Sequence, residues 1–157
     1  MIRIQKSRIL FLDVGPIQKL LQADSEIYPV VSAVLDMAYE KHLQMVVSPM
    51  TLYEISHVAY KKEASLLVRQ YREFFTHSAN LVLREIDAEI AQVAAELKNR
   101  FGIETSESFQ LATAFVSGAD SVFTLNPQWE NYLEAEIIKF IDTSCFFVCK
   151  MHKTASN

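Results

Sequence analysis

Short apolar runs alternate along this chain with longer stretches in which apolar residues return every three or four positions. The first run, Ile9-Leu10-Phe11-Leu12, has no polar interruption and predicts a strand from Arg8 to Asp13 buried on both faces. It ends on a carboxylate. Pro16 suits the first position of a helix, and Ile17, Leu20 and Leu21 then follow at helical spacing. Past a break at Asp24-Ser25, the spacing of Val30, Val31, Val34, Leu35 and Ala38 predicts an amphipathic helix from Tyr28 to Lys41. Gln44 to Ser48 is short, β-branched at its centre and stopped by Pro49, which predicts a second strand. Ser48 is placed to cap a helix from Met50 to Lys61, and Leu67, Tyr71, Phe74 and Phe75 carry another from Ala64 to Thr76.

The second half repeats the scheme. Asn80 to Ile86 predicts a third strand, and Asp87 caps a helix over Ala88 to Asn99 with Ile90, Val93, Ala94 and Leu97 on one stripe. Phe101-Gly102 ends it. Thr105-Ser106-Glu107-Ser108 opens the next helix, which turns Leu111, Ala112, Phe115 and Val116 inward and stops at Gly118. Ala119 to Thr124 predicts a fourth strand, Trp129 to Leu133 a turn or short helix, and Ile137 to Ile141 a fifth strand. Residues from Met151 on read as frayed. Strands alternating with amphipathic helices predict an α/β three-layer sandwich, a parallel sheet between helices. The expectation is a single domain over residues 1–157, with a core of about 8–142 and a C-terminal extension of about 143–157.

Composition narrows the class. The chain has 157 residues, half of them apolar, with only 3 Gly and 4 Pro, which favours a packed, helix-rich domain over a disordered one. The net charge of -4 opposes non-specific nucleic-acid binding. Cys145 and Cys149 sit in an apolar Cys-Phe-Phe-Val-Cys run and read as packed thiols of a reducing compartment. With no secretory n-region and no apolar stretch near the roughly 18 residues a membrane span needs, the expected location is cytoplasmic, off the membrane. So few glycines leave no Gly-rich phosphate loop, and Ser32, Ser48 and Ser108 lack a nucleophile elbow. His57, one turn after Glu54, reads as structural or solvent-facing, and Lys61, Lys62, Arg69 and Arg72 as a solvated face.

Candidate chemistry rests on acids. Asp13 closes the first strand, Glu54 lies early in the helix after the second, and Glu107 opens the helix before the fourth. In a parallel sheet with right-handed crossovers these neighbourhoods share one edge of the domain. Carboxylates gathered there suit a hard cation such as Mg²⁺, which keeps waters and leaves places for phosphate oxygens. Helix capping is the other reading of each acid.

Three phrases give a resemblance. They are Ile9-Leu10-Phe11-Leu12-Asp13; Val46-Val47-Ser48-Pro49 with Leu52 and Glu54; and Phe101-Gly102-Ile103-Glu104-Thr105-Ser106-Glu107-Ser108-Phe109-Gln110-Leu111-Ala112-Thr113-Ala114. Gly118-Ala119-Asp120 and Thr124 extend the match. Together they resemble the PIN domain family, small metal-dependent nucleases that include many toxins of bacterial toxin–antitoxin pairs. The resemblance implies a five-stranded parallel sheet, with Asp13, Glu54, Glu107 and the position of Asn126 gathered around Mg²⁺ or Mn²⁺. It implies phosphodiester hydrolysis, usually of RNA, in a homodimer with a possible antitoxin-like partner. Asp13, Glu54 and Glu107 would be the metal ligands, and Asn126 would assist through its amide or a water.

The chain departs from the family pattern at four places. Val14-Gly15 stands where a small hydroxyl residue and then Asn or Ser usually follow the first acid. Glu107 replaces Asp and lengthens the arm by one bond of about 1.5 Å. Gln110 replaces a frequent His, and Asn126 replaces the fourth acid, keeping an oxygen and losing a charge. These changes also fit a second reading, a PIN-like domain without catalysis that serves as an RNA- or protein-binding module. A third reading is a structural partner subunit docking through Cys145 to Val148.

Overall fold

The computed structural model describes residues 8–22, 28–129, 132 and 146–148. Its strands are β1 (Ile9–Leu12), β2 (Gln44–Val47), β3 (Leu81–Leu83), β4 (Ser121–Thr124) and β5 (Phe146–Val148). All pair in parallel, in the order β3-β2-β1-β4-β5. The helices are α1 (Val14–Gln22), α2 (Tyr28–Glu40), α3 (Pro49–Lys61), α4 (Ser65–His77), α5 (Ala88–Phe101) and α6 (Thr105–Val116). Among the described residues no helix is long and apolar enough to cross a membrane.

The unbroken apolar strands follow from burial on both faces. Successive strand side chains point to opposite sides. Phe11, Val46 and Val122 join Ile90, Ala94, Leu97 and Leu111 on the face covered by α5 and α6. Leu10, Leu12, Met45, Val47 and Phe123 join Ile17, Val31, Val34, Ile55 and Phe75 on the other. Each fully buried Leu or Phe contributes about 1.5–3 kcal/mol relative to leaving it in water.

Several predicted boundaries hold for the expected reasons. The Ser48 hydroxyl accepts from the Met50 N–H at 3.2 Å, and Asp87 Oδ1 accepts from the Ile90 N–H at 3.0 Å. Gly102 closes α5 in the left-handed conformation, φ 64°. Two expectations are corrected. The first helix begins at Val14, so Pro16 is its third residue, where no intrahelical N–H bond is lost because the first four amides have no partner within the helix. The third strand shortens from 80–86 to Leu81–Leu83, because its partner β2 ends at Val47 and only Arg84 N–H still reaches a β2 carbonyl, at 3.0 Å. The fifth strand pairs at Phe146–Val148, past the expected core bound of about 142; the segment Ile137 to Ile141 lies outside the described residues.

This topology fixes where a ligand sits. From β1 the chain steps to β2 and β3 on one side, then returns to place β4 on the other. The reversal leaves a crevice beyond the carboxyl ends of β1 and β4, the usual ligand position in open α/β sheets.

Candidate active site

Asp13 stands at that crevice. Its N–H donates to the Phe123 carbonyl at 3.0 Å, continuing the β1–β4 ladder. Its carboxylate is 4 % exposed. One oxygen accepts from the Val14 N–H at 2.7 Å and the other from the Thr124 hydroxyl at 2.6 Å. Burial withholds water from the charged form and pushes the carboxyl up to about 6, against the pull of those two bonds. The charges of Glu54 and Glu107 push the same way as burial. Asp13 therefore caps α1 and faces the crevice with one carboxylate.

The crevice is a cavity of about 350 Å³ lined by Asp13, Glu54, Glu107 and Asn126, with Glu104, Gln110 and Trp129 among the other walls. All four residues singled out from the sequence meet there. Glu54, from the second turn of α3, accepts on Oε1 from the Ser106 hydroxyl and from Gln110 Nε2, the latter at 3.0 Å. Glu107, from the first turn of α6, accepts on Oε1 from Asn126 Nδ2 and from Trp129 Nε1, both at 2.9 Å. Partial burial raises the Glu107 carboxyl, the Trp129 bond opposes the rise, and the Glu104 and Glu54 charges add to it. In both glutamates one oxygen takes both donors. Among the described residues neither Oε2 accepts a hydrogen bond.

Four contributors escaped the sequence reading. Gln110, 2 % exposed, accepts on Oε1 from the Val14 N–H and the Thr51 hydroxyl at 3.2 Å each, while its amide holds Glu54. It thus ties Asp13's neighbour to Glu54. Ser106 sits one residue before Glu107 and orients Glu54 instead of a backbone amide. Trp129, 1 % exposed and stacked on Phe11 at 6.1 Å and 17°, presents its indole N–H to Glu107. Glu104 is the N-cap residue of α6 yet makes no side-chain cap bond, so its carboxylate adds a fourth acid to the wall. No local periodicity marks these roles; the position of Gln110 in the family's phrase was the one available signal. His57 is exposed, stacks on Tyr53 and is not among the cavity's lining residues.

The departures from the family pattern turn out to touch one another. A Cβ on Gly15 would meet Leu125 Cβ at 3.2 Å, so the glycine makes room for the leucine that follows Thr124. The longer arm of Glu107 ends on the amide that Asn126 offers in place of a carboxylate. With no polar side chain at Val14-Gly15, Asp13 is held by the Val14 N–H and the Thr124 hydroxyl.

Chemically the walls offer hard oxygens, which suit Mg²⁺ or Mn²⁺ better than ions that seek thiolate or imidazole. Among the described residues, however, no three His, Cys, Asp or Glu side chains stand close enough together to hold an ion between them. The acids surround a space; they do not form a closed cage.

Comparison with known proteins adds the family. No curated protein matches the chain. The VapBC2 complex of Rickettsia felis, bound to a DNA fragment from its promoter, matches with TM-score 0.63 at 15% identity over 79% of this chain and 92% of the other. VapC20 of Mycobacterium tuberculosis, a sarcin-ricin loop cleaving toxin, matches with TM-score 0.63 at 10% identity over 78% and 93%. FitAcB of Neisseria gonorrhoeae matches with TM-score 0.57 at 19% identity over 80% and 93%. At these identities the likeness is one of fold. The family model of the PIN domain matches residues 11–133, more than half of the sequence, and this chain therefore belongs to the PIN domain family.

Proposed function

We propose that this protein is a Mg²⁺- or Mn²⁺-dependent ribonuclease that hydrolyses RNA phosphodiester bonds in the acidic cavity. The observation that carries the reading is the convergence of Asp13, Glu54, Glu107 and Asn126 on one cavity at the reversal point of the sheet. Asp13, Glu54 and Glu107 are the residues to hold the cation, and Asn126 assists through Glu107. When bound, a divalent cation supplies Lewis acidity toward phosphate oxygens and activates water.

The chain's own groups do the positioning. Thr124 and the Val14 N–H fix Asp13, Gln110 and Ser106 fix Glu54, and Trp129 with Asn126 fixes Glu107. Each glutamate keeps an Oε2 that accepts no hydrogen bond among the described residues, and the space between the acids leaves room for the waters that Mg²⁺ retains. Loss of even one such orienting partner typically lowers metal affinity or activity by about 10–100-fold.

An antitoxin-like protein partner and a homodimer belong to the same reading. The partner is supported by structures of similar fold that are toxin–antitoxin complexes, including one from Klebsiella pneumoniae, and the homodimer by the family resemblance alone. On this chain a second, mostly apolar cavity of about 360 Å³ between α2 and α4 offers a concave surface for an apolar partner segment.

The second reading, a binding module without catalysis, is favoured by two observations: Asn126 brings no charge, and among the described residues no three acids close on a point. One experiment separates the two. Purified protein is incubated with RNA in Mn²⁺, in Mg²⁺ and in EDTA, beside a double variant Glu107→Asp with Asn126→Asp. The ribonuclease reading expects cleavage by the parent that chelation stops. Cleavage by the double variant alone assigns the parent to the second reading, and no cleavage by either contradicts the nuclease reading.

A further inference from the structure

The outer face of α3 carries three rings that the fold does not use. Thr51, Ile55 and Ala59 turn inward, and about 100° per residue leaves Tyr53, His57 and Tyr60 on the opposite side. Tyr53 and Tyr60 are 58% and 59% exposed, and His57 is exposed as well. The Tyr53 and His57 rings already lie parallel, 8° apart in plane with centroids 6.0 Å apart. Tyr53 directly precedes Glu54, which lines the acidic cavity, so the row starts one residue from the cavity wall without itself lining it. It runs roughly 10 Å along the helix toward the exposed Lys61 and Lys62.

We infer that the Tyr53–His57–Tyr60 row is a stacking platform for unpaired bases of single-stranded RNA beside the cavity. The inference rests on the ribonuclease reading above. The chain carries a net charge of -4 and its cavity is walled by acids, so overall charge opposes a phosphate backbone and a few local cations supply only part of the affinity. The rest must then come from contacts indifferent to that charge. Aromatic faces supply it, because every base has a π-face and stacking tolerates any sequence. Lys61 and Lys62 close the row where a backbone phosphate can be met, a complement of charge that a purely apolar protein partner does not need.

The test measures binding without cleavage. In EDTA, fluorescence anisotropy follows a labelled single-stranded oligoadenylate, an abasic oligomer of the same length and an RNA duplex. The proteins are the parent, Tyr53→Ala, Tyr60→Ala and the conservative Tyr53→Phe. Alanine at either position is expected to weaken oligoadenylate binding by about tenfold, while Tyr53→Phe stays near the parent. The abasic oligomer and the duplex bind more weakly than oligoadenylate and respond to none of the variants. The salt slope stays shallow, near -1.4 for about two phosphate contacts to a single strand. Equal oligoadenylate binding by parent and alanine variants overturns the inference. So does a change of oligomeric state with RNA binding intact, which would make this face a contact between proteins. Ring-dependent binding by a parent that cuts no RNA in Mn²⁺ leaves the platform standing and removes the nuclease reading; cleavage without ring-dependent binding does the reverse.

Discussion

Asp13→Asn is expected to abolish metal-dependent cleavage while raising the melting temperature of the metal-free protein. The two effects have one cause. Folding moves the Asp13 carboxyl from an ordinary 3.8 up to about 6, so the folded state binds this proton more tightly than the unfolded chain does. Between those values the native state carries more protons, and stability falls as pH rises. The contribution is complete below pH 3.8 and lost above about 6, where the ionised and buried group costs on the order of 3 kcal/mol. Asparagine removes that charge and keeps the shape. Its oxygen accepts from the Val14 N–H, and its amide donates to the Thr124 hydroxyl. For a chain of this size about 2–4 °C per kcal/mol applies, so a rise of roughly 6–12 °C at pH 7.5 is the expected ceiling. At pH 4 the variant and the parent converge. Thermal melts over pH 4–8 with EDTA check this, and a variant that melts lower than the parent at pH 7.5 contradicts it.

Trp129 carries the second large effect. It is 1 % exposed, stacks on Phe11 and bonds Glu107. Trp129→Ala removes a buried aromatic and leaves a cavity, a loss of about 3–5 kcal/mol and a large part of a typical domain's stability. Trp129→Phe keeps most of the stacking and loses the N–H donor, so its stability cost is smaller, about 1–2 kcal/mol. Without that donor the Glu107 carboxyl rises further, since the Trp129 bond is what opposes burial there. Urea unfolding is expected to rank the proteins parent, Phe, Ala, and metal affinity is expected to fall already in the Phe variant. Equal metal affinity in parent and Phe variant would show that the indole N–H does not orient Glu107.

What the sequence could and could not say follows from the range of the interactions. The strand of Ile9 to Leu12 was legible because burial on both faces removes every polar position from it, and Ser48 and Asp87 because caps bond two or three residues away. Asp13, Glu54 and Glu107 were marked by their places at a strand end and near helix starts, Asn126 by the family pattern alone, and the four line one cavity. Gln110 and Trp129 were not legible, because their partners lie 56 and 22 residues away and nothing local distinguishes a buried amide or indole from any other. Phe146 to Val148 pairs with β4, a long-range partnership that a short apolar run does not announce, and the expected strand of Ile137 to Ile141 lies outside the described residues. The departures from the family pattern are far apart along the chain, yet Gly15 and Leu125, and Glu107 and Asn126, meet in contact.

The central claim is that the cavity binds a divalent cation through Asp13. The most direct measurement is calorimetric titration of Mn²⁺ into the parent and into Asp13→Asn, with Trp129 fluorescence followed in parallel. Trp129 is the chain's single tryptophan and its N–H rests on Glu107, so it reports from the wall of the site. The account predicts saturable heat with a fluorescence change in the parent and neither in the variant. Titrations that coincide for the two proteins, or a parent that binds no Mn²⁺ even with RNA present, would contradict it.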